Sequence, residues 1–249
     1  MGKYVKKIVR LLKKLINKIK QYLINKNGLK IPSILTSDNF FIVISRYKEN
    51  INWVNKIPWP YIIYNKGQAI KTNNKNIIES KNIGREAETY LKYIISNYNN
   101  LSNFTVFLQG NPFDHSNKLF EKIKLFDGIK DISILSDQIN YEDRKGQPNH
   151  PGLKTGESSD LLFENKKDTF EYTPGAQFIV SKKLIQNRPL SFYQFILNEI
   201  ETNAYINKCE VKSHRPTCNC GTRFSPWVLE RLWLDIFDIK QKSNTNFTS

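Results

Sequence analysis

Three apolar, β-rich runs constrain this chain more than any other feature. FFIVISRY (40–47), YIIYNKG (61–67) and FTVFLQG (104–110) each break off in a polar corner. The first run is apolar without alternation, the pattern of a strand buried on both faces in a parallel sheet. Between the second and third lies NIGREAETYLKYIISNY, in which Ala87, Tyr90, Leu91, Ile94 and Ile95 form a helical stripe entered past Asn82 and Gly84. A short strand is predicted at Ile77–Glu79 and a short helical stretch around Trp53. Strand, helix and strand in this order read as one α/β domain with a mostly parallel central sheet.

The second half gives fewer signals. Residues 137–170 are rich in Gly, Pro, Asn and Asp and read as loops, with weak strand content around Asp160–Glu164. A turn and apolar strand follow over Tyr172–Ser181, and a helix entered after Arg188-Pro189 covers the next stretch. SPWVLERLWLDIF (225–237) is a capped helix, with Ser225 as cap and Pro226 in its first turn.

Charge separates the chain into unequal parts. Of 38 Lys and Arg side chains, ten lie within residues 1–30, where there is no acid; the other 219 residues hold 28 basic and 23 acidic groups. In residues 3–26, Val5, Val9, Leu12, Ile16, Ile19 and Leu23 are spaced four and three apart, with lysines opposite. That pattern is an amphipathic basic helix, too interrupted to span a bilayer or to serve as a signal peptide. An anionic membrane surface is its best physical match, with packing, self-association or nucleic acid as alternatives. The expected division is 1–30 helix and linker, 31–240 domain, 241–249 polar tail. A body near +5 has no finger, helix-turn-helix or RNA-type aromatic motif, so nucleic acid is not the expected partner. Peripheral attachment at the cytoplasmic face of a membrane is the expected location.

Cys209, Cys218 and Cys220 lie near His214, but their spacing fits no standard zinc set, and metal, disulfide and free thiol stay open. No P-loop, dinucleotide fingerprint, HExxH or nucleophile elbow occurs. In α/β sheets ligands gather beyond the carboxyl ends of strands. Here those corners are residues 45–50, 65–67 and 109–115, rich in groups that suit an anionic ligand. Arg46, Lys66 and Arg85 are candidate phosphate partners. Asp114 could hold a metal or sugar hydroxyl and His115 could move a proton, or the two could merely fasten a turn. Glu230 shares a helix face with Trp227 and Trp233. A carboxylate there is either a half-buried general base or an ordinary ion-pair partner.

SRYKENINWV, YIIYNKG, NIGREAETYLKYII, FLQGNPFDH, GAQFIVSKKLIQNRP with SFY, and VLERLW together resemble DUF3431, a family of uncharacterised proteins, over roughly residues 38–238. Their order is also similar to a reduced nucleotide-sugar glycosyltransferase of the GT-A, Rossmann-like type. The resemblance implies a nucleotide near Arg46, Glu49, Lys66, Gly84, Arg85 and Gln109. The last part resembles the branching N-acetylglucosaminyltransferases, which follow a Gly-(Ala or Ser)-x-Phe-x-Val-Ser strand with an acidic helix and work without a metal. Gly175–Ser181 and Glu230 stand in that order.

What the resemblance implies is transfer of a sugar from a nucleotide sugar to a glycan or protein hydroxyl, inverting, with Glu230 as base. The alternative is a non-catalytic nucleotide- or sugar-binding module. No Asp-x-Asp occurs near the third strand. Either Asp114 alone helps hold manganese or magnesium, or cationic side chains carry the diphosphate charge; the second is favoured.

Overall fold

The structure, a computed structural model, describes residues 39–70, 75–206, 223–244 and 247, and the side chains of 203–206 are not among those described. The basic segment 1–30 and the cluster of Cys209, His214, Cys218 and Cys220 lie outside the described residues.

A six-stranded mixed sheet organises the domain: β1 (Phe40–Arg46), β2 (Tyr61–Asn65), β3 (Ile77–Glu79), β4 (Phe104–Gln109), β5 (Ile132–Ile134) and β8 (Phe178–Ser181), in spatial order β3-β2-β1-β4-β8-β5. β1 pairs in parallel with β2 and β4, and β2 with β3, whereas β8 runs antiparallel to both β4 and β5. Five strands therefore point one way. The ribbon of β6 (Asn140–Asp143) and β7 (Thr169–Tyr172) stands apart as an antiparallel pair.

The unbroken apolar character of β1 follows from its place at the sheet's centre. Phe40, Ile42 and Ile44 face one core with Val106, Leu108, Trp53 and Trp59. Val43, Phe107, Phe178 and Val180 face the other, against helices α1 (Arg85–Asn97), α5 (Leu190–Ile206) and α6 (Pro226–Ile236). Opposite, a 3-10 turn over Asn52–Lys56 and the short α2 (Leu119–Lys124) cover the sheet. The chain winds outward from β1 to β3, and α1 returns it to β4 on the far side of β1. Such a reversal opens a crevice at the strand ends.

Ser225 caps α6 by accepting the Val228 N–H at 3.3 Å, and Pro226 opens it, as the sequence predicts. Ser181 caps the short α4 (Lys182–Gln186) in the same way. The loop reading of 137–170 needs correction. It holds β6, β7 and the helix α3 (Thr155–Leu162), so Asp160 is helical rather than in a strand. The buried face of α3 is Thr155, Gly156, Ser158 and Ser159 as well as Leu162. Small polar residues leave no 3.6-residue apolar rhythm to read, so tertiary packing decides this helix.

Candidate functional site

The pleat of the sheet sorts the strand-end residues onto two faces. Arg46, Asn65 and Glu79 stand in one row, because Arg46 is in register with Asn65 and Asn65 with Glu79. Arg46 donates from Nη1 to Asn65 Oδ1 at 2.5 Å and to the Gln68 carbonyl at 3.2 Å, and from Nε to the Glu49 carbonyl at 2.9 Å. Asn65 in turn donates to both carboxylate oxygens of Glu79. The Glu49 carboxylate accepts the N–H groups of Tyr47 at 2.6 Å and Lys48 at 3.1 Å. A Cβ on Gly110 would fall 2.5 Å from Glu49 Oε2, so glycine lets the β1 and β4 corners close on each other. The three corners thus converge, tied by their own hydrogen bonds.

Lys66 is placed differently from its expected role. It is buried, donating to the carbonyls of Ile83 and Arg85 and paired with Glu88 beneath the entry to α1. Burial pulls its ammonium below the usual lysine range, against the charge of Glu88. It fastens Gly84, a left-handed residue at φ +62°, and the start of α1.

The other face gathers around Glu230. Helix α6 brings its carboxylate under the turn before β8, where the Gly175 N–H donates to Glu230 Oε1 at 2.7 Å. A Cβ on Gly175 would lie 2.6 Å from His115 Cδ2 and 3.3 Å from Gln109 Oε1. One junction therefore unites Glu230, His115 and Gln109 from three separated stretches. Asp114 is exposed beside it and, with His115, Ser136, Asp137 and Pro174, lines a cavity of about 130 Å³.

Burial pushes the Glu230 carboxyl above the usual carboxylate range, and nearby Glu86 adds to the push. Arg231, the Gly175 N–H and Arg85 oppose it without cancelling it. The Tyr90 hydroxyl, buried near both carboxylates, is without a hydrogen-bond partner among the described residues. Arg85 lays its guanidinium 4.4 Å from the Trp227 ring centre and keeps 43% of its side chain exposed.

Beneath Glu230 lies a network that the sequence reading missed. Arg231 and Glu142, both fully buried, make a two-pronged pair at 2.8 and 2.9 Å. Arg231 also pairs with Glu230, reaches His150 Nδ1 at 2.6 Å and covers the Tyr172 ring. His150 stacks on Trp227. Glu142 and His150 carry no periodic signal; only the β6–β7 fold brings them under α6.

Backbone strain marks the same place. Among the described residues, the non-glycine positions with left-handed backbone are Arg85, Ala176 and Phe224. Arg85 and Ala176 flank Glu230, and Phe224 precedes the cap of its helix. Each such residue costs about 1–3 kcal/mol, which the surrounding structure must offset, and strain of this kind concentrates at working sites.

Among the described residues no group of three His, Cys, Asp or Glu side chains is placed to hold a metal. The arrangement can exchange a proton at Glu230 and meet an anion at Arg85. No curated protein and no solved structure matches the chain. Residues 41–136, from β1 to just beyond β5, match the model of the family described as "Protein of unknown function (DUF3431)".

Proposed function

We propose that this protein transfers a sugar from a nucleotide-sugar donor to an acceptor hydroxyl, with Glu230 as the base. One observation carries the reading: a nearly buried carboxylate, raised above its usual range, held by a backbone N–H beside the carboxyl ends of parallel strands. The order of Gly175–Ser181 on β8 followed by an acidic helix supports it, through the resemblance to branching N-acetylglucosaminyltransferases.

In this mechanism the ionised Glu230 takes the proton of the acceptor hydroxyl as its oxygen bonds to the anomeric carbon. The bond from that carbon to the diphosphate breaks with inversion, and the electron pair leaves with the nucleoside diphosphate. Arg85 neutralises the charge of the leaving group. His115 and Gln109 position the sugar across the Gly175 turn, and residues 3–26 supply a membrane address.

Nucleotide sugars with a panel of acceptors, assayed for transfer and for slow donor hydrolysis, test this. Glu230→Gln should lower turnover about 10²–10⁴-fold with donor affinity kept within about twofold. Unchanged transfer by that variant removes Glu230 from the mechanism. Tight diphosphate binding by the wild type, with neither transfer nor hydrolysis, would leave a binding module.

A further inference from the structure

The end of the sheet opposite Glu230 has a surface chemistry of its own. There the strand starts of β1 and β4, the end of β8 and the approach to β5 are stitched together. Phe104 N–H donates to the Asn39 carbonyl at 2.8 Å, Lys182 N–H to that of Asn103 at 2.8 Å, and Ser181 N–H to that of Asp131 at 2.7 Å.

The segment after α2 closes this end. Phe126 plugs the core against Phe104 at 4.9 Å and Phe40 at 6.3 Å between ring centres. The residues around it point outward: Leu125 is 58% exposed and Ile129 84%. Ile129 is the most exposed large apolar side chain among the described residues. Its position is set by a turn, with Gly128 at φ +72° and the Ile129 N–H donated to Asp127 Oδ1 at 3.0 Å.

Exposed Lys124, Lys130 and Lys183 surround this tip. Of the acids here, Asp127 serves the turn and Asp131 pairs with Lys183 at 3.6 Å. Residues 1–38, whose first thirty carry ten basic side chains and no acid, join the domain at this same end, through Asn39.

We propose that this end of the domain seats on an anionic lipid bilayer. Leu125 and Ile129 enter the boundary between headgroups and acyl chains, and Lys124, Lys130 and Lys183 meet the anionic headgroups. An apolar tip ringed by lysines suits a lipid interface, whereas a nucleic acid would meet cationic side chains interrupted by two bare aliphatic ones. The seating turns the Glu230 end away from the membrane toward solvent. It stands apart from the chemistry proposed for Glu230.

The full chain tests it, with vesicles of phosphatidylserine and phosphatidylcholine at about 3:7 against phosphatidylcholine alone. Leu125→Ser with Ile129→Ser should weaken partitioning into the anionic vesicles about tenfold, since two side chains lose their burial in lipid. Both side chains are exposed, so thermal melting should match the wild type. Ile129→Trp should gain blue-shifted emission on anionic vesicles that brominated acyl chains quench beyond the wild-type background. Equal partitioning by the double variant, or unshifted Ile129→Trp emission, overturns the proposal. Loss of single-stranded RNA binding with vesicle binding kept overturns it in favour of a nucleic-acid surface.

Discussion

Gly175 donates its backbone N–H to Glu230 at 2.7 Å while its bare Cα lies against His115, leaving no room for a Cβ. The glycine also sits at φ +79°, where any other residue is strained. Gly175→Ala should therefore cost about 1–3 kcal/mol in chemical denaturation. In the folded variant, turnover should fall more than donor affinity, because the displaced turn releases Glu230. Full stability with full turnover would show that the junction has slack the structure does not.

Two carboxylates share Arg231 and should respond oppositely to neutralisation. Glu142→Gln takes the two-pronged carboxylate from buried Arg231 and leaves it Glu230 alone as an ion-pair partner, and about 3 kcal/mol of stability should go. Glu230→Gln removes a carboxylate that burial disfavours and leaves Arg231 its bonds to Glu142. Its stability should equal or exceed the wild type by up to about 1 kcal/mol, as expected where function is held against stability. Denaturant midpoints at one pH decide this, and equal losses in both variants would contradict it.

The two groups also set opposite pH dependences. Burial alone would raise Glu142, but Arg231, with bonds from His150 and Tyr172, outweighs it and holds the carboxyl below its usual 4.5. Its contribution is therefore complete above that value and lost as pH falls through the folded one. Glu230 is raised, so its contribution is complete below the unfolded value and lost as pH rises through the folded one. The stability advantage of Glu230→Gln should widen between about pH 4 and pH 7. The rising limb of kcat should sit above the usual carboxylate range, and a limb at or below 4.5 would argue against Glu230 as base.

Lys66 and Arg85, both candidate phosphate partners by sequence, should separate cleanly. Lys66→Met removes a buried partner of Glu88 and should lower stability by about 2–5 kcal/mol, with nucleoside diphosphate binding unchanged in the folded protein. Arg85→Ala keeps a Cβ at the same backbone angle and loses an exposed cation–π contact. Stability should shift by less than about 1 kcal/mol, while calorimetry shows diphosphate binding weakened about tenfold. Weaker binding from Lys66→Met would place its ammonium in the site.

Chain order alone located β1, β2, β3, α1, β4 and α6, because each buries a continuous or periodic apolar set with a readable cap or breaker. It also singled out Glu230, Arg85, His115 and Gln109, since polar residues just past strands or between tryptophans stand out against an apolar background. Helix α3 left no such trace; its buried face is largely Thr155, Gly156, Ser158 and Ser159. Glu142 and His150 were equally silent, as ordinary polar residues in a Gly- and Asn-rich stretch.

The sequence by itself determined the α/β order, the corners where chemistry can collect and the uneven charge, all consequences of local periodicity and composition. Only the tertiary structure decided which candidates meet. The pleat sends Arg46 to one face and Gln109 to the other, and Lys66 is drawn into the core to hold the start of α1. Glu230 acquires its raised proton affinity from burial, to which Glu86 adds and which Arg231 and Gly175 oppose, all through packing between distant segments. Proton affinity depends on desolvation and on charges a few ångströms away, and a linear chain specifies neither until it closes on itself.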